Sequence, residues 1–237
     1  MAPPILKPAW TKTMDDGVTN KAWDKYDPTI RTEVADYNKR LASSPGFVAF
    51  DWLKLKAVLW VESGGPSSSA WTTRPMQIGN AGDPGYAVLK GGKEAAPLVM
   101  SPALKEDIRT GSISTPDLNV RAGIAYAVTR LAKTDIKSVD DPTDAKIYEY
   151  TVVSGDNPSS IARDVGTTLE VFRRLNPSAI VLKVGQKVKY QKASLQRVLT
   201  GWLPLTVGNL ALRYNSGDGA YAQKLQYVLD LFPKLVR

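Results

Sequence analysis

The chain has 237 residues, enough for one large domain or two modest ones, with 31 Lys and Arg against 23 Asp and Glu and a formal charge of +8. It contains no Cys and no His, which excludes disulfides, thiolate and imidazole metal sites, Ser-His-Asp triads and Cys-His pairs together. Acid-base chemistry falls to carboxylates, Lys or Tyr, and neither a cofactor nor a metal is expected.

The positive charge favours a polyanion, either nucleic acid or the anionic cell wall. The basic residues, among them Lys54, Lys56, Lys90, Lys93, Arg173, Arg174 and Lys187, are scattered without a run or a basic-aromatic repeat, so no nucleic-acid partner is expected. No segment approaches the ~20 uninterrupted apolar residues of a membrane span, so no membrane insertion is expected either.

The opening MAPPILKPAWTKTMDD lacks the apolar stretch of a secretory signal, which predicts synthesis in the cytoplasm and action elsewhere only by another export route. Asp27-Pro28 predicts a cap for a helix from Thr29 to Leu41, with Val34 and Tyr37 on its apolar side. Residues 1–46 read as an N-terminal extension packing on the core, with no function of their own.

From Asp51 the run DWLKLKAVLWVESGGP is apolar on almost every side, broken only by Lys54 and Lys56, and Gly64-Gly65-Pro66 stops it. It predicts a buried helix ending near Glu62. Residues 64 to 118 are rich in Gly, Pro and Ser and predict loops and short helices lining a cleft. Val120, Ile124, Ala127, Val128 and Leu131 then recur at helical spacing and predict a helix from Asn119 to about Lys133.

At Tyr148 the pattern changes. A β-rich run opens the segment and a second, Gln186 to Gln191, closes it. Between them Asn157-Pro158 is an N-cap and N1 pair, Gly166 ends that short helix, and Thr167 with Glu170 predicts a capping box for a helix through Leu175. The order is β-α-α-β. YTVVSGD, SSIARDVGTTLEVFRRLNP and VGQKVKY resemble the LysM module nearly end to end. The resemblance implies a glycan-binding domain over 147–192 and an N-acetylglucosamine-containing ligand, peptidoglycan or chitin. It places the ligand at two loops, through Gly155, Asp156, Asn157 and Pro158 on one and Asn176, Pro177 and Ile180 on the other.

Residues 205 to 232 return to helical character, and there RYNSGDG, with Ala211, Tyr214, Asn215, Gly217 and Gly219, resembles the ALAAYNAGPG segment of the soluble lytic transglycosylase family. Glu62-Ser63 resembles that family's catalytic ES pair and Met76-Gln77-Ile78 its MQI segment, in the same order along the chain. Two departures stand out: Arg74-Pro75 replaces the usual Gly-Leu before MQ, and RYNSGDG replaces AYNAGPG. The resemblance implies a mainly α, lysozyme-like catalytic domain (α+β, predominantly helical) over 1–146 and 193–237, with the small βααβ LysM domain inserted in it. Antiparallel outer strands would bring the ends of the insert together, which makes such a splice physically reasonable.

On this resemblance the protein cleaves the β-1,4 bond between N-acetylmuramic acid and N-acetylglucosamine in peptidoglycan, as a lytic transglycosylase or a muramidase. Glu62 is the general acid: burial beside Leu59, Trp60 and Val61 and the negative end of its helix both disfavour its charged form. Ser63, Met76, Gln77, Tyr126, Tyr214 and Asn215 are the substrate-binding residues, with Tyr214 and Asn215 facing Glu62 across the cleft. Asp83, in GNAGDPGY, is the candidate second carboxylate whose presence separates hydrolysis from anhydro-ring formation. The alternatives are a non-enzymatic LysM peptidoglycan- or chitin-binding protein on a degenerate lysozyme fold, and a chitinase-like activity. The expected setting is an antibacterial effector or phage endolysin acting at the cell wall or periplasm, and an effector implies an immunity or inhibitor protein as partner.

Overall fold

The computed structural model describes residues 6 to 111 and 113 to 235, and the chain divides into two compact units. Unit 1 takes residues up to Thr134 and from Leu199 onward, and unit 2 is Asp135–Val198. In chain order the elements are α1 (Pro8–Asp16), a 3-10 turn (Lys21–Asp24), α2 (Asp27–Leu41), α3 (Trp52–Ser63), α4 (Ser69–Thr73) and α5 (Pro84–Lys90). There follow α6 (Ala96–Val99), α7 (Pro102–Thr110), α8 (Pro116–Leu131), β1 (Ala132–Asp140), β2 (Ile147–Thr151), α9 (Pro158–Asp164) and α10 (Leu169–Leu175). The chain closes with β3 (Lys187–Gln191), β4 (Ala193–Trp202), α11 (Val207–Arg213), α12 (Tyr221–Leu231) and a 3-10 turn at Phe232–Lys234. Among the described residues the protein is mainly helical, with two small two-stranded sheets.

Unit 1 is organised around α3, whose sequence is apolar on nearly every side because nearly every side is covered. Leu55, Ala57, Val58, Leu59 and Trp60 are all buried, and α3 packs against α2 and α12. Asp51 caps its start, accepting from Leu53 N, and Gly64 ends it in a left-handed conformation, φ 70°. At Gly65, φ 85°, a Cβ would come within 2.2 Å of the Trp23 ring, so the chain can leave the helix along this path only through glycine. Lys56 does not break the apolar face by pointing outward. Its side chain is fully buried, with Nζ 2.5 Å from Asp24 and 2.8 Å from Asp27. Asp27 is therefore not the N-cap the sequence predicts for α2; it is that helix's first residue, and its carboxylate balances Lys56. Removing one partner of such a buried pair costs about 3–5 kcal/mol.

The second long helix of unit 1, α8, starts at Pro116, one turn before the predicted Asn119, and ends at Leu131. It packs against α2, α5, α6, α7 and α11 and buries Val120, Ile124, Ala125, Ala127, Val128 and Leu131. Fully burying each of the larger of these is worth about 1.5–3 kcal/mol. The chain then turns extended directly at Ala132. The sequence reading had no strand here, yet β1 pairs with β4. Leu203 N donates to Leu131 O and Asp141 N to Lys192 O, so the pairing runs antiparallel.

In unit 2, β2 and β3 pair antiparallel, in the register Ile147 with Gln191 through Thr151 with Lys187, and α9 and α10 lie between them in sequence. The expected β-α-α-β order is present. Unit 2 reaches beyond 147–192 because much of β1 and β4 belongs to it. Its core is small: Val152, Ile161, Ala162, Val165, Phe172 and Val188, with Tyr150, Ala179, Leu182 and Tyr190 packed on it. Asn157 forms a capping box with Ser160 at α9. The cap of α10 is one residue later than predicted. Thr168 accepts from Val171 N, while Thr167 turns away and donates to Gln191 O at 2.5 Å.

Candidate functional site

Segments from residue 62 to residue 217 meet around one cavity in unit 1, of about 520 Å³, within the size range of small-ligand sites. Its lining includes Glu62 at the end of α3, Met76 to Ile78, Asn80 to Pro84, Glu94, Tyr126 and Arg130 of α8, and Arg213 to Gly217 after α11.

Glu62 is half-buried, and its carboxylate is held from one side. Tyr221 OH donates to Oε1 at 2.6 Å, and Asn215 Nδ2 approaches the same oxygen at 3.4 Å. Burial raises its pKa above the ordinary carboxylate value and outweighs the Tyr221 and Asn215 hydrogen bonds, which favour the ionised form. Among nearby charges, Asp218 adds to the rise and Lys224 opposes it. Asp218 is itself held: burial pushes it up, but Lys224 at 2.6 Å and Ala220 N–H bring it below its usual value. The phenols of Tyr214 and Tyr221 are pushed far up, chiefly by burial and then by Glu62, so both remain protonated donors.

The Met76-Gln77-Ile78 turn is fixed from behind by a residue the sequence reading passed over. Asn119, fully buried in α8, accepts from Met76 N at 2.9 Å and donates to Ile78 O at 2.7 Å and Ile113 O at 3.1 Å. Beneath it, a Cβ at Gly123 would lie 2.4 Å from Met76 Cβ, so the turn rests directly on the α8 backbone. A polar residue at a helix position otherwise buried was the available signal for Asn119. The Arg74-Pro75 departure also has a structural role: Arg74 donates to Ser114 Oγ at 3.0 Å and Asn80 Oδ1 at 3.3 Å.

The predicted site residues fare differently. Glu62, Met76, Gln77, Asp83, Tyr126, Tyr214 and Asn215 all line the cavity. Ser63 does not: it is buried, and its hydroxyl accepts from Gly65 N at 3.2 Å, which completes the helix end. Tyr214 does not bond the acid. Its hydroxyl donates to Met76 O at 2.9 Å, tying the tail to the turn, and Tyr221 takes the expected place on Glu62. Met76 contributes backbone, since its residue is fully buried. Gln77 is internally committed, donating to Arg74 O and accepting from Asn80. Asp83 faces the cavity with its oxygens already accepting from Gly79 N at 2.7 Å, Gly85 N at 2.7 Å and Tyr86 N at 3.3 Å, as the N-cap of α5.

Glu94, Arg130 and Arg213 were not singled out from sequence. Arg130 Nη1 donates to both Glu94 oxygens, at 2.8 and 3.0 Å. Among the described residues the only non-glycine residues with positive φ are Gln77, 56°, and Glu94, 53°, and both line this cavity. Such backbone costs on the order of 1–3 kcal/mol per residue and persists where surrounding structure enforces it.

In unit 2 the two predicted loops are built by the polar residues assigned to them. Asp156 accepts from Val153 N at 2.8 Å and Tyr150 OH at 3.1 Å, and Asn157 accepts from Ser159 N and Ser160 N, each at 3.0 Å. Pro158 opens α9 behind that cap. Asn176 bridges strand and helix, donating to Lys189 O and Phe172 O and accepting from Lys189 N. What these loops leave exposed is Gly155, Pro177 and an apolar strip of Ile180, Val181 and Val184, exposed by 86%, 76% and 73%. No group of carboxylates among the described residues is arranged to hold a metal ion, and no described helix is long and apolar enough to cross a membrane.

A family model, the LysM domain, matches residues 150–190. That match points to binding of peptidoglycan or chitin, with peptidoglycan glycan strands as a partner. Searches of curated proteins and of solved structures return no match to the chain.

Proposed function

We propose that the protein is a peptidoglycan glycosidase that cleaves between N-acetylmuramic acid and N-acetylglucosamine, with Glu62 as the proton donor and the LysM domain holding the polymer. The supporting observation is the state of Glu62: a carboxyl group that opens onto a cavity, lies at a helix C-terminus and is held toward its protonated form by burial. Tyr221 fixes the oxygen that does not carry the proton, leaving the other free to face a bridging sugar oxygen. The order of Glu62-Ser63, Met76-Gln77-Ile78 and RYNSGDG along the chain supports a lysozyme-like reading of unit 1.

A second reading is a glycan-binding protein without catalysis. It is favoured by the family match, which covers the LysM residues alone. Glu62→Gln distinguishes the two: on purified cell walls the variant loses release of soluble fragments while retaining sedimentation with the wall. Full release by the variant rules out Glu62 as the acid, and no release by the wild-type chain favours the binding protein. Delivery as an antibacterial effector or endolysin belongs to the same proposal, and toxicity that arises only when the chain is directed to the periplasm supports it.

A further inference from the structure

The two arginines in the wall of the Glu62 cavity are in different electrostatic situations. Arg130 is committed, with Nη1 on Glu94 and Nε donating to Arg213 O at 3.1 Å. Arg213, the last residue of α11, lines the cavity with an exposed side chain and has no carboxylate partner among the described residues. Its backbone is pinned by Arg130, so the base of the side chain is fixed while the guanidinium is left available.

The other charges of the lining are accounted for. Asp83 is satisfied by three backbone N–H groups, and Glu94 is matched by Arg130. Glu62 is held toward its neutral form by burial. Within the described lining this leaves the Arg213 guanidinium as the charged group without a hydrogen-bonded or ion-paired partner, a planar donor suited to bidentate binding of a carboxylate. The position is also a departure of this chain, since the resembling family segment carries Ala there and this sequence reads RYNSG.

We propose that Arg213 is a specificity residue that binds a carboxylate on the glycan, so that the cavity prefers carboxylate-bearing amino-sugar chains to neutral chitin. The inference rests on the glycan-cleaving reading of unit 1 for its ligand class. On peptidoglycan the carboxylate has two sources: the peptide stem, or the lactyl group of N-acetylmuramic acid where the peptide is absent. Chitin offers neither.

The test measures affinity by calorimetry on the full chain carrying Glu62→Gln, so that turnover does not intervene. Three soluble probes are used: a peptide-bearing disaccharide of peptidoglycan, the same disaccharide without peptide, and chitotetraose. Arg213→Gln weakens binding of a carboxylate-bearing probe about tenfold, roughly 1.4 kcal/mol, and leaves chitotetraose unchanged. Arg213→Lys recovers part of the loss, and high salt shrinks it. The probe that shows the loss identifies the source of the carboxylate. The contribution of unit 2 is common to all variants and cancels in the difference. No loss on either disaccharide, or an equal loss on all three probes, overturns the proposal. Failure of the wild-type chain to cleave any wall would instead sink the glycosidase reading, while the Arg213 difference in affinity is read independently of cleavage.

Discussion

Unit 2 and unit 1 are built by opposite strategies, and the contrast decides what each reveals. In unit 2 the core, the caps and the candidate ligand loops come from one continuous stretch, so every determinant sits within about forty residues of its partners, and the family match falls on that same stretch, 150–190. In unit 1 the bond that defines the site joins Glu62 to Tyr221, 159 residues apart, and the bond that closes it joins Tyr214 to Met76, 138 apart. A local pattern constrains the first kind of site. A distributed one leaves only short motifs, each weak alone.

The largest effect expected from this contrast is a clean separation of functions. Phe172 is fully buried in a core with few other large side chains, so Phe172→Ala should cost about 3–5 kcal/mol and unfold unit 2 near ambient temperature. Wall binding is then lost, while turnover of a short soluble fragment by unit 1 persists. Equal loss of both would show that the units do not divide the work. The reciprocal change is Gly123→Ala, which drives a methyl into Met76 and displaces the turn that Asn119 holds. It should cost about 1–3 kcal/mol and abolish turnover with wall binding intact, as calorimetry and sedimentation would reveal.

A finer effect concerns the acid. Tyr221→Phe removes the hydrogen bond that most favours ionised Glu62, so the Glu62 pKa rises further and the alkaline limb of the activity profile moves to higher pH. The sign for stability follows from the same shift. Because the folded pKa of Glu62 lies above its unfolded value, the folded state binds the extra proton between the two, and stability contributed by this group falls as pH rises through that window. Thermal melts of wild type and Glu62→Gln should therefore diverge across that window, with the Gln variant losing less stability on going to higher pH. Parallel melts would break the claim.

Sequence made the mainly helical character and the LysM-like order legible because each rests on periodicity and turn chemistry acting locally. The partial burial of Glu62 was legible for a related reason: an apolar helix that ends in Glu62-Ser63 before two glycines reports its own burial. What escaped were residues whose roles depend on tertiary partners. Lys56 read as a break in an apolar face and is a buried counter-ion. Asn119 read as a helix start and is the clamp of the turn. Tyr221, to which the sequence reading gave no role, bonds Glu62 while Tyr214 bonds Met76 O, because a motif gives a phenol's position in the chain and only packing decides which phenol reaches the carboxyl group. β1 and β4 escaped because neither alternates in burial strongly enough to carry a strand signal.

The central claim is that Glu62 holds its proton where an exposed glutamate would not. Carbon-13 NMR titration of the Glu62 carboxyl group in the full chain tests this directly. The account predicts a midpoint above the ~4.3 of a free glutamate side chain, moving higher in Tyr221→Phe. A midpoint at or below that value, unmoved by the substitution, would contradict it.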